Sequence, residues 1–247
     1  MTDSIPSAEH VVEALEMIKQ NVPPEGYLVG FSGGKDSVTL LDLVRISGVK
    51  HRAVYSAPGI DPPEVVRFIK EHYPTVDWMH PAISFWDGLR AYGLPNFKRR
   101  WCCRVLKKAP TAKIPLYHRL IGIRAEESAR RRSRGPIDRQ GKLMTYKPLF
   151  NWKEWMVWDY LEQRKLPHCK LYDQGFDRIG CVICFFISPK EHERRRLLWP
   201  GLYRAFEQAV GDWWQSRPDL EQRLGFPVEE LLRRWYRHER LFGENNT

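Results

Sequence analysis

Residues 27–37 read Tyr-Leu-Val-Gly-Phe-Ser-Gly-Gly-Lys-Asp-Ser, and this stretch decides the fold. An apolar run that passes through two glycines into the apolar periodicity after Val38 predicts a buried strand, a tight turn and a helix. Gly33 and Gly34 let backbone amides approach a ligand closely, and the free amides and dipole of a helix N-terminus attract anions. The stretch therefore predicts a phosphate-binding loop, with an ordinary glycine-rich turn as the alternative.

The polar side chains of this stretch strengthen that prediction. Ser32 and Ser37 supply hydroxyl donors, Lys35 supplies a charge for a departing pyrophosphate, and Asp36 would orient Mg²⁺ or cap the helix. The spacing of the nucleoside-triphosphate loop, with four residues between Gly and Gly-Lys-Ser/Thr, is absent. Instead, residues 32–37 resemble the Ser-Gly-Gly-x-Asp-Ser loop of the ATP pyrophosphatases, which split ATP between the α and β phosphates. The resemblance implies that this loop binds ATP.

Strand and helix patterns alternate outward from the loop. Alternation of this kind predicts an α/β fold with a parallel sheet covered on both faces, and ligands then bind beyond the carboxyl ends of the strands. A polar, arginine-rich stretch at residues 125–142 predicts a mobile loop. Strand patterns cover residues 53–56, 76–79, 120–123 and 143–148, and helix patterns cover residues 8–20, 62–71, 85–92, 97–108 and 153–164.

Three segments follow from this alternation. Residues 1–25 read as an N-terminal capping helix, residues 26–187 as the nucleotide- and cluster-binding domain, and residues 188–247 as a helical C-terminal extension. Aromatic residues recur at helical spacing in the extension. That spacing predicts packing in a core rather than a platform for nucleic-acid bases.

Composition favours a globular protein with polyanionic partners. Of 247 residues, 43% are hydrophobic, and 40 Lys and Arg face 30 Asp and Glu, for a formal net charge of +10. Such a balance favours nucleic acid as a partner. No run approaches the about 18 apolar residues that span a bilayer, and no signal peptide is evident, so we expect a cytoplasmic protein with no membrane partner. The basic residues cluster at 98–100, 130–132 and 194–196, and the last cluster reads equally well as a solvated helix face.

Four of the five cysteines form two pairs, Cys102-Cys103 and Cys181-x-x-Cys184. In a reducing compartment, such pairs favour metal binding over disulfides. Four thiolates suit zinc or an iron–sulfur cluster. Neighbouring side chains on a helix diverge by about 100°, which suits the separated irons of a 4Fe–4S cluster better than a single zinc ion. The fifth cysteine, Cys169, is the remaining candidate for a persulfide relay; Lys170 and His168 would lower its pKa, although a lone cysteine is usually inert.

Cys-Cys followed well downstream by Cys-x-x-Cys resembles the 4Fe–4S signature of bacterial adenylylsulfate reductases. Residues 122–130, Gly-Ile-Arg-Ala-Glu-Glu-Ser-Ala-Arg, look like the Gly-hydrophobic-Arg-x-x-Glu-Ser-x-x-Arg segment of the phosphoadenylylsulfate (PAPS) reductase family, and residues 158–161 and 171–181 are also similar to that family. The resemblance implies an adenine nucleotide alpha hydrolase-like sandwich. It adds Gly122 and Arg124 to the nucleotide site, with Arg124 closing over the reacting end.

Three departures from the family bear on the function. The loop of residues 32–37 keeps the Lys-Asp that family reductases usually lack, and the sequence ends without their Glu-Cys-Gly tail. In addition, residues 57–59 read Ala-Pro-Gly where the family often has Asp-Thr-Gly, which weakens the expectation of ligand contacts there. The first two departures favour the ATP-using relatives that thiolate tRNA or introduce DNA phosphorothioates.

We therefore expect an ATP pyrophosphatase and sulfurtransferase that binds ATP, Mg²⁺ and a 4Fe–4S cluster. Its partners would be an adenine nucleotide, a nucleic-acid acceptor, and a cysteine desulfurase or other sulfur donor. The catalytic candidates are Lys35, Asp36, Arg124 and Cys169. An adenylylsulfate or phosphoadenylylsulfate reductase is the first alternative. A non-catalytic nucleotide-binding subunit of a modification complex is the second.

Overall fold

The fold was analysed in a computed structural model that describes residues 8–239. Its sheet has six strands in the order β3-β2-β1-β4-β6-β5. All neighbouring pairs are parallel except β5 and β6, which are antiparallel. The predicted α/β class with a mostly parallel sheet is thereby confirmed. The strands are β1 (Tyr27–Phe31), β2 (His51–Ser56), β3 (Asp77–Met79), β4 (His118–Ile121), β5 (Ile137–Gln140) and β6 (Leu143–Tyr146).

Helices fill connections between the strands and form all of the regular structure described between residues 188 and 239. They are α1 (Ala8–Gln20), α2 (Lys35–Ser47), α3 (Pro63–His72), α4 (Phe85–Tyr92), α5 (Ala109–Ala112), α6 (Ala129–Arg132), α7 (Glu154–Gln163), α8 (Pro189–Leu198), α9 (Pro200–Gln215), α10 (Pro218–Leu224) and α11 (Val228–Tyr236), with a π-helix at Cys103–Lys108 and a 3-10 turn at Ala125–Glu127. Within the described residues, no helix is both long and apolar enough to cross a bilayer.

The described residues divide into two compact units. The first contains residues 8–56, 63–79 and 111–179, and the second contains residues 57–62, 80–110 and 180–239. The whole sheet lies in the first unit. The boundaries predicted after residues 25 and 187 were based on pattern alone and stay predictions.

The core of the first unit grows from the strand and helix that the opening stretch predicts. In β1 every side chain except the glycine at position 30 is buried, as a strand covered on both faces requires. In α2 the buried side chains include Leu40, Leu41 and Val44. The helix ends at Gly48, whose φ of 73° is the left-handed conformation that terminates helices.

Aromatic side chains build the core of the second unit. Phe85 stacks on Trp101 with ring centroids 5.7 Å apart. A Cβ atom on Gly88 of α4 would lie 2.3 Å from the Trp101 ring, so this close contact needs glycine. Most aromatic residues of the C-terminal helices, including Phe206 and Trp235, are buried as predicted, and Tyr236 is partly buried.

The helix expected over residues 97–108 begins later and is wound differently. It starts at Trp101, and Cys103–Lys108 form a π-helix. The Asn96 side-chain oxygen accepts hydrogen bonds from the backbone amides of Lys98 (2.9 Å) and Arg99 (2.8 Å). This turn satisfies those amides outside a helix, which is why the helix cannot extend back to residue 97.

The arginine-rich stretch at residues 125–142 is structured, so the predicted mobile loop was wrong. It contains the 3-10 turn, α6 and β5. Strand β5 pairs with β6 through a two-residue turn, and Gly141 has the positive φ (60°) that such a turn requires. Three of the four residues of β5 are polar, so a search for apolar strand patterns does not detect it. Strand β4 also ends at Ile121 rather than at residue 123.

Candidate functional site

The predicted phosphate loop occupies the link between β1 and α2 in the first unit. Gly33 has a φ of 72°, and a Cβ atom there would lie 3.0 Å from the Ile69 side chain. Gly34 precedes the first helical residue with extended backbone, and no side chain caps the helix. The cap role considered for Asp36 is therefore not used. The loop brings its amides to the end of a helix, which is the geometry of an anion site.

The two serine hydroxyls lie against each other inside the loop. The Ser37 Oγ donates to the Gly34 carbonyl (2.8 Å) and accepts from the Ser32 amide (3.2 Å). The two Oγ atoms are also 3.2 Å apart. These bonds hold the loop in one conformation, so its donors are organised before any ligand binds.

The Lys35 side chain is buried, with 2% of its surface exposed. Its ammonium lies 3.0 Å from a carboxylate oxygen of Glu154 and donates to the Asp177 carbonyl at 3.0 Å. It also faces the rings of Tyr172 (5.3 Å to the centroid) and Trp158 (5.9 Å). The charge that the sequence assigned to a phosphate is therefore already paired within the protein, and it also contributes to packing.

Arg124 follows β4 and is 4% exposed. Its guanidinium forms ion pairs with Asp36 and with Glu126. Burial disfavours the charged form, but these carboxylates outweigh it and raise the pKa of Arg124, so the group stays cationic. A Cβ atom on Gly122 would lie only 2.7 Å from the Asp36 carbonyl oxygen, which explains the glycine two residues before Arg124.

Tyr172 completes the site, although its motif was not given a role from sequence. Its hydroxyl accepts a hydrogen bond from the Lys35 backbone amide at 2.9 Å. Burial raises its pKa, so the phenol is neutral. The hydroxyl thus touches an amide at the start of α2, one of the amides that a helix leaves without a backbone partner. Tyr172 and Lys35 are 137 residues apart in the chain, so local sequence patterns could not reveal this contact.

Cys169 does not have the environment expected of a reactive thiol. It is 1% exposed, and burial raises its pKa despite the nearby Lys170. His168 pairs with Asp173 at 2.8 Å. The pKa shift is thus opposite to the lowering expected from the sequence. A relay role for Cys169 stays a prediction.

The other four cysteines lie together in the second unit. The Cys102 thiol donates a hydrogen bond to Cys103, which raises the pKa of Cys102 and lowers that of Cys103. Cys102 also interacts electrostatically with Cys181 and Cys184. All four are free and partly exposed.

Cationic side chains surround these thiols. Lys107 lies 3.6 Å from Asp61 and donates a hydrogen bond toward the Cys181 thiol, opposing the burial that raises the pKa of that thiol. From α8, Arg195 donates to the Cys181 carbonyl at 2.7 Å and to Glu191 at 2.7 Å. Arg195 is 4% exposed, so this member of the third basic cluster is not on a solvated face.

The donor set fits an iron–sulfur cluster. Within residues 8–239, no three His, Cys, Asp or Glu side chains are arranged to hold a single metal ion. The thiolates of a 4Fe–4S cluster bind separate irons and need not converge on one point. Four thiols that interact electrostatically, with neighbouring cations, could supply the ligands and offset the negative charge of such a cluster. The site residues Cys102, Cys103, Cys181 and Cys184 therefore suit this group.

Comparison with known proteins places the phosphate loop and the cysteines in one family. The phosphoadenosine phosphosulfate reductase domain matches residues 26–186. The chain belongs to this family. Its match contains both the phosphate loop and all four paired cysteines, so both sites lie within the reductase-like domain. Helix α8, which provides Arg195, lies beyond the match.

Two curated relatives and one solved structure define this similarity. An uncharacterized protein of Methanocaldococcus jannaschii is 31% identical over 75% of the chain, which spans 42% of that relative. Adenosine 5'-phosphosulfate reductase 2 of Bacillus subtilis is 26% identical over 78% of the chain and 87% of the relative. The PAPS reductase structure from Candida auris has a TM-score of 0.54 at 17% identity, covering 73% of this chain and 96% of that one, and it supports the shared fold.

Proposed function

We propose that the chain is an ATP pyrophosphatase that activates an oxygen atom of nucleic acid for replacement by sulfur. The acceptor would be a base carbonyl in tRNA or a phosphate oxygen in DNA. The assembled loop at the N-terminus of α2, with Arg124 kept charged beside it, carries the proposal. A loop that binds pyrophosphate would be superfluous in an enzyme whose sulfonucleotide substrate has already lost its pyrophosphate.

In the first step, the acceptor oxygen attacks the α phosphorus of ATP. A new bond joins oxygen to phosphorus, and the bond to the bridging oxygen breaks, so that pyrophosphate leaves with the electron pair. The loop amides would stabilise the charge that develops on pyrophosphate, while the internally bonded hydroxyls of Ser32 and Ser37 hold the loop in place. Arg124 would neutralise charge at the α phosphate, while Asp36 keeps its guanidinium in place. Mg²⁺ would enter bound to ATP.

In the second step, hydrosulfide attacks the activated carbon or phosphorus and AMP departs with the former acceptor oxygen. A cysteine desulfurase or another donor would supply the sulfur. Cys102, Cys103, Cys181 and Cys184 would hold a 4Fe–4S cluster with one thiolate on each iron. Binding of sulfide at an iron would require one of these thiolates to leave, and with all four bound the cluster would only stabilise the fold. Within the protein, Arg195 and Lys107 provide the positive charge that such a cluster needs.

A sulfonucleotide reductase is the second candidate, because the chain is similar to adenosine 5'-phosphosulfate reductases and because Arg124 would also suit a sulfate. Reduction by this family's route needs a nucleophilic thiol outside the cluster. In this chain the remaining cysteine is Cys169, which is buried and has a raised pKa. That environment disfavours attack on a sulfonucleotide. A non-catalytic nucleotide-binding subunit is the third candidate.

The test compares two reactions of anaerobically purified protein. With ATP, sulfide and nucleic acid, we expect equal amounts of AMP and pyrophosphate, formed only when nucleic acid is present. Ser37→Ala should lower the rate by roughly 10- to 100-fold, because it removes the hydrogen bonds to Ser32 and Gly34 that hold the loop amides in position. Ser47→Ala is the matched control, since it removes a hydroxyl at the other end of α2.

The second reaction supplies adenylylsulfate and thioredoxin. Release of sulfite that is lost in Cys169→Ser would overturn the proposal. Cleavage of neither ATP nor adenylylsulfate would favour the non-catalytic subunit.

A further inference from the structure

A short turn in the second unit presents a basic and aromatic sequence to solvent. The Asn96 side chain accepts from the amides of Lys98 and Arg99, and the Asn96 amide donates to the Arg99 carbonyl at 3.1 Å. These bonds fix the backbone, so the exposed side chains start from a defined position rather than from a frayed loop. The four residues that follow Asn96, at positions 97–100, are all exposed.

Two phenylalanines near this turn leave much of their rings accessible. Phe97 is 57% exposed and Phe186 is 41% exposed, with ring centroids 5.2 Å apart and planes nearly perpendicular. The buried Phe185 supports Phe97 from the protein side at 4.7 Å. An exposed ring held against a rigid partner offers a ready surface for stacking, because little side-chain entropy remains to be lost.

The charge around these rings is positive. The Arg100 guanidinium lies 4.1 Å from the centroid of the Phe186 ring. The side chains of Lys98 and Arg99 are both exposed. Their charges are therefore available to an anionic partner.

The same surface reaches the cysteine cluster. Arg100 lies over the Phe186 ring and precedes Cys102 by two residues. Phe186 itself follows Cys184 by two residues. A polymer bound on these rings would thus be held beside the cysteines.

We propose that Phe97, Lys98, Arg99, Arg100 and Phe186 form a basic-aromatic surface that binds single-stranded nucleic acid. An unpaired base would stack on Phe97, and Lys98 and Arg99 would contact the flanking phosphates. Charge complementarity selects a polyanion, and the accessible rings select unpaired bases, because a duplex hides its base faces. This inference rests on the proposed function and specifies that the nucleic-acid acceptor is single-stranded where it binds.

Binding can be measured by fluorescence anisotropy with holo protein and a labelled oligonucleotide of about 20 nucleotides, single-stranded or as a duplex. Phe97→Ala should weaken single-strand binding by about 5- to 150-fold, the range of one lost stacking contact, and Phe97→Trp should restore it. The double variant Lys98→Gln and Arg99→Gln should reduce the salt slope by about 1.4, from roughly 0.7 for each phosphate contact. Trp155→Ala, an exposed aromatic of the first unit, and the double variant Lys190→Gln and Arg237→Gln are matched controls.

The outcomes separate this inference from the proposed function. Loss of single-strand binding in Phe97→Ala but not in Trp155→Ala supports the surface. Equal binding by Phe97→Ala and the unchanged protein overturns it, even if nucleic acid still stimulates AMP formation. Preference for the duplex, or capture of an acidic peptide but not the oligonucleotide, also overturns it. If the single strand binds through Phe97 while ATP is never cleaved, the surface stands and the proposed function fails.

Discussion

In the first unit, the buried cations beside the predicted phosphate loop are each paired with a carboxylate. Lys35 and Arg124 are both almost fully buried, and each has a carboxylate partner, Glu154 for Lys35 and Asp36 for Arg124. Burying a cation without such a partner costs several kcal/mol. The charges of Lys35 and Arg124 are therefore already partly balanced by carboxylates. The affinity of the loop for a phosphate would then depend strongly on its backbone amides.

At the same scale, Cys169 should be unreactive in the folded protein. Its raised pKa means that less thiolate is present at about pH 8 than for an ordinary cysteine, since the thiolate forms only as the pH rises toward the pKa. Alkylation of its peptide by iodoacetamide, followed by mass spectrometry, should be about 10-fold or more slower in native protein than in concentrated urea. Equal rates in the two states would show that the thiol is accessible.

Individual elements meet at positions where only glycine fits, and Gly122 between β4 and Arg124 is the functional case. Gly122→Ala would place a methyl group 2.7 Å from the Asp36 carbonyl oxygen. We expect a loss of about 1–3 kcal/mol in the free energy of unfolding, together with weaker ATP binding, because α2 must shift. The measurement is urea denaturation combined with calorimetric titration of ATP.

Gly211→Ala provides the control for that experiment. Gly211 lies within α9, and a Cβ atom there meets nothing within 4 Å. Alanine should stabilise the protein by about 0.5–1 kcal/mol through helix propensity. If Gly122→Ala were as stable as the unchanged protein, the close approach of β4 to α2 would be disproved.

Helix α8 reaches the Cys181 backbone through the side chain of Arg195. Arg195→Gln removes the charged donor to the Cys181 carbonyl and the closer of the two arginine partners of Glu191, so we expect a loss of about 1.5–3 kcal/mol in unfolding free energy. Iron content after anaerobic gel filtration should also fall. The neighbouring, more exposed Arg194 supplies the control, and Arg194→Gln should change stability by no more than about 0.5 kcal/mol. Full iron retention in Arg195→Gln would contradict this role.

On the scale of the whole molecule, the two candidate sites belong to different compact units. Cys181→Ser should therefore abolish iron binding while leaving ATP binding in place. ATP at 100 times its dissociation constant should stabilise the variant by about 2.7 kcal/mol, the same increase that we expect for the unchanged protein. Thermal unfolding with and without ATP, beside an iron assay, tests this separation. Loss of the ATP effect in the variant would show that the sites are coupled.

Much of the molecule follows from sequence because its signals are local. The strand, turn and helix at residues 27–47 can be read from an apolar run, two glycines and a second apolar period, and the structure agrees. The aromatic core of the C-terminal helices follows from helical spacing in the same way. Strand β5 was not predicted from the sequence, because its side chains are mostly polar and its pairing with β6 depends on the turn at Gly141.

The sequence alone thus determined the fold class and identified the phosphate loop and the paired cysteines as candidate sites. Each depends on residues that are close in sequence or on a motif of the family. Tertiary structure decided which distant side chains complete them: Tyr172 on the Lys35 amide, Glu154 on the Lys35 ammonium, and Arg195 on the Cys181 carbonyl. It also decided that Cys169 is buried. Partners and burial of this kind depend on how separate elements pack, and no local periodicity encodes that packing.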